Sequence, residues 1–235
     1  MILVSAVVMA AGEGRRLRPF TDRWPKPVLP VDGRPVIATL LRDLAAAGVE
    51  DVTVVVGHLA EQVEELVGTG RAWGLRLRFA RQPEPLGSAD AVRRALAAGA
   101  SAPLLAAAAD TVFRPGDLAR AAEAWLAAGV AGGLGVRRGG RKEQTPVRVE
   151  DGFVVALGGD QPGGRTAAPL WFLADRLAAR LADVPGPPYE LAHAFRAALE
   201  RKEQVVALEL GPTRDLTRPE DVVRENFPYL WRTSP

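Results

Sequence analysis

Three stretches of this chain carry the residue types and spacing that chemistry on phosphates needs. The first is Ala10-Ala11-Gly12-Glu13-Gly14-Arg15-Arg16-Leu17-Arg18-Pro19, a glycine turn followed by three arginines. Gly12 and Gly14 let backbone N–H groups close on phosphate oxygens, and Arg15, Arg16 and Arg18 supply fixed guanidinium groups that offset the charge of a triphosphate. The second is Pro25-Lys26-Pro27-Val28-Leu29-Pro30-Val31. Its prolines predict a stiff extended segment that keeps Lys26 from being a freely solvated surface lysine. The third is Asp110, which ends the apolar run Leu104–Ala109. A carboxylate at the C-terminal end of a buried strand is placed to hold a cation over a crevice.

The glycine turn fits neither of two familiar phosphate loops. A dinucleotide fingerprint needs a third glycine where Leu17 stands, and a P-loop needs a closing Gly-Lys-Ser/Thr that is absent. A further stretch, Arg81-Gln82-Pro83-Glu84-Pro85-Leu86-Gly87-Ser88-Ala89, opens a predicted helix. Gly87 there permits close backbone approach, and Ser88 is a candidate cap for the helix it begins.

These groups need a frame that places strand ends side by side. Short apolar runs alternate with helical patterns: strands over 3–9, 51–56, 75–79 and 103–108, helices over 36–47, 60–67, 88–98 and 118–128. Alternation of this kind predicts βαβ units, a mainly parallel sheet and right-handed crossovers that put helices on both faces. The second half is less regular. Strands are predicted over 132–136, 147–150, 153–157, 168–172 and 205–210, and helices over 174–181, 190–202 and 219–226. The stretches 139–145 and 160–165 read as polar loops. No internal repeat or long linker divides the chain, so it reads as one domain over residues 1–235.

Composition narrows the function classes. The chain has 235 residues, 48% hydrophobic and 25% charged, and a formal net charge of +2. That is ordinary globular usage, not a disordered or fibrous composition. The only lysines are Lys26, Lys142 and Lys202, and the arginines are spread along the chain with no basic tract, so no nucleic-acid partner is expected. With no cysteine there is no disulfide, thiolate zinc site or cysteine nucleophile. No apolar run reaches the roughly 18 residues that span a bilayer, and the N-terminus lacks a basic region, which points to a cytoplasmic protein without membrane association. His58 and His193 lack metal-ligand spacing and read as structural, and the scattered tryptophans as packing residues.

The stretch Ala-Ala-Gly-Glu-Gly-x-Arg-Leu-Arg-Pro-Phe-Thr, continued by Pro-Lys-Pro-Val-Leu-Pro-Val, resembles the signature of the sugar-1-phosphate nucleotidylyltransferases. The match is close over residues 3–31, apart from Arg15 where that family usually has Thr or Ser, and weaker matches continue to Asn226. The resemblance implies a Rossmann-like three-layer α/β sandwich around a mixed, mainly parallel sheet, with a nucleotide half over residues 1–130 and a sugar half over 131–235. It implies transfer of a nucleotidyl group from an NTP to a sugar 1-phosphate, with Mg²⁺ as cofactor and pyrophosphate as leaving group. Ala11, Gly12, Gly14, Arg15, Gln82 and Gly87 would bind the nucleotide, Gln82 and Gly87 at a uracil or thymine base. Arg16 and Lys26 would be catalytic, and Asp110 and Asp215 would hold the metal.

The sugar side departs from the family pattern. The usual Glu-Lys-Pro is Asp160-Gln161-Pro162, so the phosphate-binding lysine is missing and Arg165 is the substitute within reach in sequence. Glu190 keeps a role at sugar hydroxyls. The glycine after Asp215 is absent, and Ala109 precedes Asp110 where the family has Gly. Two other functions therefore stand beside the first: cytidylyl or guanylyl transfer to another sugar or polyol phosphate, and an inactive nucleotide-sensing relative. A homo-oligomer is compatible with the sequence.

Overall fold

The computed structural model describes residues 5–139, 144–159 and 164–228. The chain begins with strand β1 (Ser5–Ala10), the short pair β2 (Pro30–Val31) and β3 (Arg34–Pro35), and helix α1 (Val36–Ala46). Then come β4 (Asp51–Val56), α2 (Ala60–Val67), β5 (Arg76–Arg81), α3 (Ser88–Ala97), β6 (Leu104–Ala108), β7 (Thr111–Val112) and α4 (Asp117–Ala128). The rest holds β8 (Gly132–Arg138), β9 (Val147–Glu150), β10 (Phe153–Leu157), β11 (Arg165–Leu173), α5 (Asp175–Ala179), α6 (Leu191–Glu200), β12 (Val205–Glu209), β13 (Arg214–Asp215) and α7 (Pro219–Asn226).

The period-two pattern of the strands explains the layers. In β1, Ala6, Val8 and Ala10 face one buried core while Val7 faces another; in β6, Leu105 and Ala107 face the first and Leu104 and Ala106 the second. A strand buried on both faces needs helices on both. On one side Ile37, Leu40, Leu41 and Leu44 of α1 pack with Val63 of α2 and Leu118, Ala121 and Trp125 of α4. On the other, Val92 and Ala95 of α3 pack with Leu177 of α5 and Leu191, Ala194 and Phe195 of α6. Trp125 tilts against Phe172 at 5.2 Å and Trp171 meets Phe195 edge-on at 4.8 Å, one aromatic pair in each layer.

Nine strands form one mixed sheet in the order β5-β4-β1-β6-β11-β8-β12-β10-β9. The run β5-β4-β1-β6 is entirely parallel, and β8 pairs in parallel with β12. Strand β11 enters antiparallel between β6 and β8, tying the second half of the chain to the first. The α/β three-layer sandwich therefore forms as the sequence implies.

Some local expectations are corrected. The prolines do not make residues 25–31 uniformly extended: Lys26–Val28 closes a 3-10 turn between extended Pro25 and Leu29. The fixed φ of Pro27 suits a helical turn, and it needs no donor so early in one. Strand β11 runs from Arg165 to Leu173, longer than expected, and takes Arg165 out of the predicted loop. The predicted helix over 174–181 is α5 followed by a 3-10 turn at Arg180–Asp183, tightened before Val184, which is extended as the residue preceding a proline. The two-residue strands β2, β3, β7 and β13 were not anticipated. Residues 3 and 4 of the first predicted strand, 140–143 of one predicted loop and 160–163, including the Asp160-Gln161-Pro162 reading, lie outside the described residues.

Candidate active site

Strand β1 delivers the glycine turn at the C-terminal edge of the parallel strands. Ala11 stays in the core beneath it, and its carbonyl accepts from His58 N at 3.3 Å. Gly14 has φ of 63° and its added Cβ would sit 2.8 Å from Thr21 Cγ2, so the turn requires glycine there. Thr21 Oγ1 donates to Gly14 O at 3.0 Å, and the chain then makes a 3-10 turn at Arg15–Leu17. His58 Nε2 pairs with Thr21 O at 2.7 Å and braces the same loop, a structural use.

The three arginines part company. Arg15 Nε pairs with Glu13 at 2.5 Å, and Arg18 pairs with Asp22 at 3.1 Å. Arg16 has no side-chain partner among the described residues. It lines two adjoining cavities, of about 300 Å³ and 370 Å³, which also share Met9, Lys26, Ala108, Asp110 and Thr217. The first cavity is walled by Gly12, Gly14 and Arg15, the second by Ser88, Arg137, Trp171, Glu190 and Asp215.

Lys26 and Asp110 meet where the cavities adjoin. The turn after Pro25 aims Lys26 at the end of β6, where its Nζ ion-pairs with Asp110 Oδ2. Thr111 Oγ1 donates to the other carboxylate oxygen at 3.2 Å. The small antiparallel pair β7–β13 sets Asp215 directly opposite Thr111, one residue beyond Asp110. Asp215 Oδ2 accepts from Arg137 Nη1 at 2.8 Å, while its Oδ1 is buried with no partner. Two hard carboxylate donors, one with an orphaned oxygen, suit Mg²⁺, which takes few protein ligands and fills its octahedron with water and phosphate oxygens. No group of three or more possible metal ligands occurs among the described residues.

The loop between β5 and α3 is held by Gln82. Its buried amide donates to Gly87 O at 3.0 Å and to Asp90 Oδ2 at 2.8 Å. Asp90 is also gripped by Arg93 and Arg94, at 3.1 and 2.6 Å. Burial pushes the Asp90 carboxyl up, but the hydrogen bonds from Arg94, Gln82 and Arg93 outweigh it and hold it below the usual range. Gly87, at φ 109°, lies against the backbone of Tyr189, whose oxygen a Cβ would approach to 2.4 Å.

Ser88 does not cap its own helix. It donates to Glu190 and accepts from Leu191 N at 2.8 Å, and its backbone N–H also reaches Glu190 at 3.2 Å. The starts of α3 and α6 are thus clasped together, with Glu190 on the wall of the second cavity. Arg165 is elsewhere: it pairs with Glu209 at 2.8 Å and lines neither cavity. Arg137, which the sequence reading missed, is there instead. It is the last residue but one of β8, after an apolar run, and only the sheet shows which way it faces. His193 contacts Pro185 O at 3.3 Å and lines neither cavity.

The family described as nucleotidyl transferase matches residues 5–142, more than half the chain. Among similar proteins, the CMP-5'-(3-aminopropyl)phosphonate synthase of Streptomyces rubellomurinus is 49% identical over 82 residues, 35% of this chain and 13% of that protein. The N-acetylmuramate alpha-1-phosphate uridylyltransferase of Neisseria meningitidis serogroup B is 39% identical over 84 residues, 36% of each chain. The matched stretches thus span about an eighth to about a third of these relatives. A crystal structure of UDP-glucose pyrophosphorylase complexed with UDP-glucose superposes with a TM-score of 0.83 at 18% identity, over 98% of this chain and 100% of that one. At that identity the likeness shows a shared fold. The matched region contains the glycine turn, Lys26, the Gln82–Gly87 loop and Asp110, and on that ground the chain belongs to the nucleotidyl transferase family.

Proposed function

We propose that this chain transfers a nucleotidyl group from an NTP, UTP or dTTP by preference, to a sugar 1-phosphate, releasing pyrophosphate. The observation that carries the proposal is the Lys26–Asp110 pair where the two cavities adjoin. One cavity, with the glycine turn, would take the triphosphate, and the other would take the acceptor. The reacting α-phosphorus would then lie beside Lys26.

The acceptor phosphate oxygen attacks the α-phosphorus in line, and the bond to the leaving pyrophosphate breaks. The nucleophile is already ionised, so no general base is needed and catalysis is positioning plus charge stabilisation. Gly12 and Gly14 bring backbone N–H groups to the triphosphate, with Arg15 at the rim. Arg16, with no side-chain partner among the described residues, steadies the departing pyrophosphate. Lys26 leaves Asp110 to bridge the α-phosphate and the incoming phosphate. Gln82 and Gly87 line neither cavity, and Gln82 would serve the base edge from behind, by holding the Gly87 carbonyl in place. Glu190 faces the acceptor. The divalent cation that nucleotidyltransferases generally use would be Mg²⁺ on Asp110 and Asp215, where it supplies positive charge against the phosphates.

A second reading keeps this chemistry and changes the acceptor to a non-sugar phosphate or phosphonate, with CTP as donor. The printed name of the Streptomyces rubellomurinus relative, a CMP-phosphonate synthase, favours it. So does the departure of this chain from the family at Gln161. The test is pyrophosphate release with Mg²⁺ for five NTPs against sugar phosphates, polyol phosphates and aminoalkylphosphonates. A strong pair with a sugar 1-phosphate supports the first reading, and one with CTP and a phosphonate supports the second. Silence throughout with nucleotide still bound defeats both.

No helix among the described residues is long and apolar enough to cross a membrane. We place the enzyme in the cytoplasm, where nucleoside triphosphates are available.

A further inference from the structure

Arg137 brings a guanidinium with one unused edge to the acceptor side of the cleft. The residue is 8% exposed and lines the second cavity with Arg16, Lys26 and Asp110. Its Nη1 is committed to Thr213 Oγ1 and Asp215 Oδ2. Its Nε is buried with no partner, and Nη2 makes no bond among the described residues. The Nε–H and Nη2–H groups of a guanidinium point the same way and match two oxygens of one carboxylate or phosphate. This chain uses that edge elsewhere: Arg76 grips Asp51 through Nε at 3.0 Å and Nη2 at 2.7 Å. On Arg137 the same edge is left over.

Among the described residues the acceptor side is otherwise short of cations. The position where the resemblance predicts a phosphate-binding lysine is Gln161, an uncharged amide whichever way it points. Arg165 is spent on Glu209 outside the cavity. Lys26 and Arg16 stand at the nucleotide boundary, shared by both cavities. A phosphate entering beside Asp110, Asp215 and Glu190 meets three carboxylates and needs a counter-charge of its own.

We infer that Arg137 binds the phosphate or phosphonate group of the acceptor through its Nε/Nη2 edge while Nη1 stays on Asp215. The inference rests on the proposed nucleotidyl transfer and names the residue that selects a phospho-group acceptor. Arg137 also ties the acceptor to the metal side of the site, because its second hand holds a carboxylate proposed as metal ligand.

The test compares the wild-type protein with Arg137→Met, Arg137→Lys and a control, Arg138→Met, whose side chain is exposed. Arg137→Met leaves Asp215 without its partner, so Arg137→Lys, which keeps charge but loses the two-pronged edge, provides the second measurement. Thermal melts establish folding for each. Acceptor KM in pyrophosphate release should rise about 10- to 100-fold in Arg137→Met, the loss of a charged hydrogen-bond pair, and less in Arg137→Lys. Nucleotide affinity by calorimetry and the Mg²⁺ requirement should hold steady, and Arg138→Met should match wild type. Acceptor KM unchanged in both Arg137 variants overturns the inference. So does an equal loss of nucleotide affinity with a raised Mg²⁺ requirement, which makes Arg137 a brace for Asp215.

A second arm separates this from failure of the transferase reading. Methyl phosphate is titrated calorimetrically into protein saturated with Mg²⁺–UTP. If no acceptor yields pyrophosphate, the transferase reading falls and this arm alone decides. Methyl phosphate binding in wild type that is lost in Arg137→Lys supports Arg137 as the phosphate ligand. No binding in wild type, or equal binding in both, refutes it.

Discussion

Lys26 Nζ and Asp110 Oδ2 form an ion pair across 84 residues of chain, on the boundary where two cavities adjoin. A turn made possible by Pro27 delivers one partner and the end of a buried strand the other. The pair is partly shielded, with the Lys26 side chain 16% exposed, so in the proposed reaction Lys26 would exchange a protein carboxylate for a phosphate without full solvation between.

Removing either partner should stop chemistry while leaving the fold. Lys26→Ala and Asp110→Ala are each expected to lower kcat by about 100-fold or more, the size of losing a charge aimed at the transition state. Thermal melting should stay within a few degrees of wild type, because neither side chain belongs to a hydrophobic core. Pyrophosphate release at saturating substrates is the measurement. A variant as fast as wild type takes that residue out of the reaction.

Asp215 offers one orphaned, buried oxygen next to Asp110. Asp215→Asn should therefore raise the Mg²⁺ concentration for half-maximal rate by about tenfold, since one charged ligand becomes neutral. Titrating Mg²⁺ at fixed nucleotide checks this. An unshifted titration leaves Asp215 only as the partner of Arg137.

Gly87 is a backbone requirement rather than a side-chain preference. At φ 109° with Tyr189 O 2.4 Å from the ideal Cβ, Gly87→Ala should destabilise the protein by about 2 kcal/mol or more through strain and displacement of the α6 start. Urea unfolding should show a lower midpoint, and nucleotide affinity should fall with it. An unchanged midpoint would mean that the Tyr189 backbone yields easily.

Ser88 joins α3 to Glu190 and Leu191 of α6. Ser88→Ala removes one donor and one acceptor in a partly buried place, for an expected cost of about 1–3 kcal/mol. Because Glu190 then loses a tether, acceptor KM should rise more than nucleotide KM. The reverse order would place the clasp on the nucleotide side instead.

Asp90 gives the pH dependence a sign. Its carboxyl is held below the usual range by Arg94, Gln82 and Arg93 against the opposing effect of burial. The stabilisation is therefore complete above the ordinary aspartate pKa of about 3.9 and is lost as pH falls through the lower, folded value. In urea melts, the stability gap between wild type and Asp90→Asn should be widest near neutral pH and narrow in acid below that value. A gap that stays constant into acid contradicts this.

The elements of the first half were legible before any tertiary contact. Helix α1 announces itself through Ile37, Leu40, Leu41 and Leu44, and β4 through its run of β-branched residues, because period and propensity are local properties that burial reinforces. Gly14 and Lys26 also show their importance locally: one is required by the backbone of a turn, the other is boxed by prolines.

What tertiary structure decided is which distant side chains share a space. Strand β13 is two residues long, too short for any periodic signal, and only its pairing with β7 sets Asp215 beside Asp110. Arg137 and Arg165 are both arginines near strand ends in the same half of the chain, and composition ranks neither above the other. The sheet separates them: antiparallel β11 pairs Arg165 with Arg138 and leaves it to Glu209, while β8 turns Arg137 inward to Asp215. Strand side chains alternate between faces, so one residue of register decides whether a guanidinium faces a carboxylate in the cleft or one at the surface.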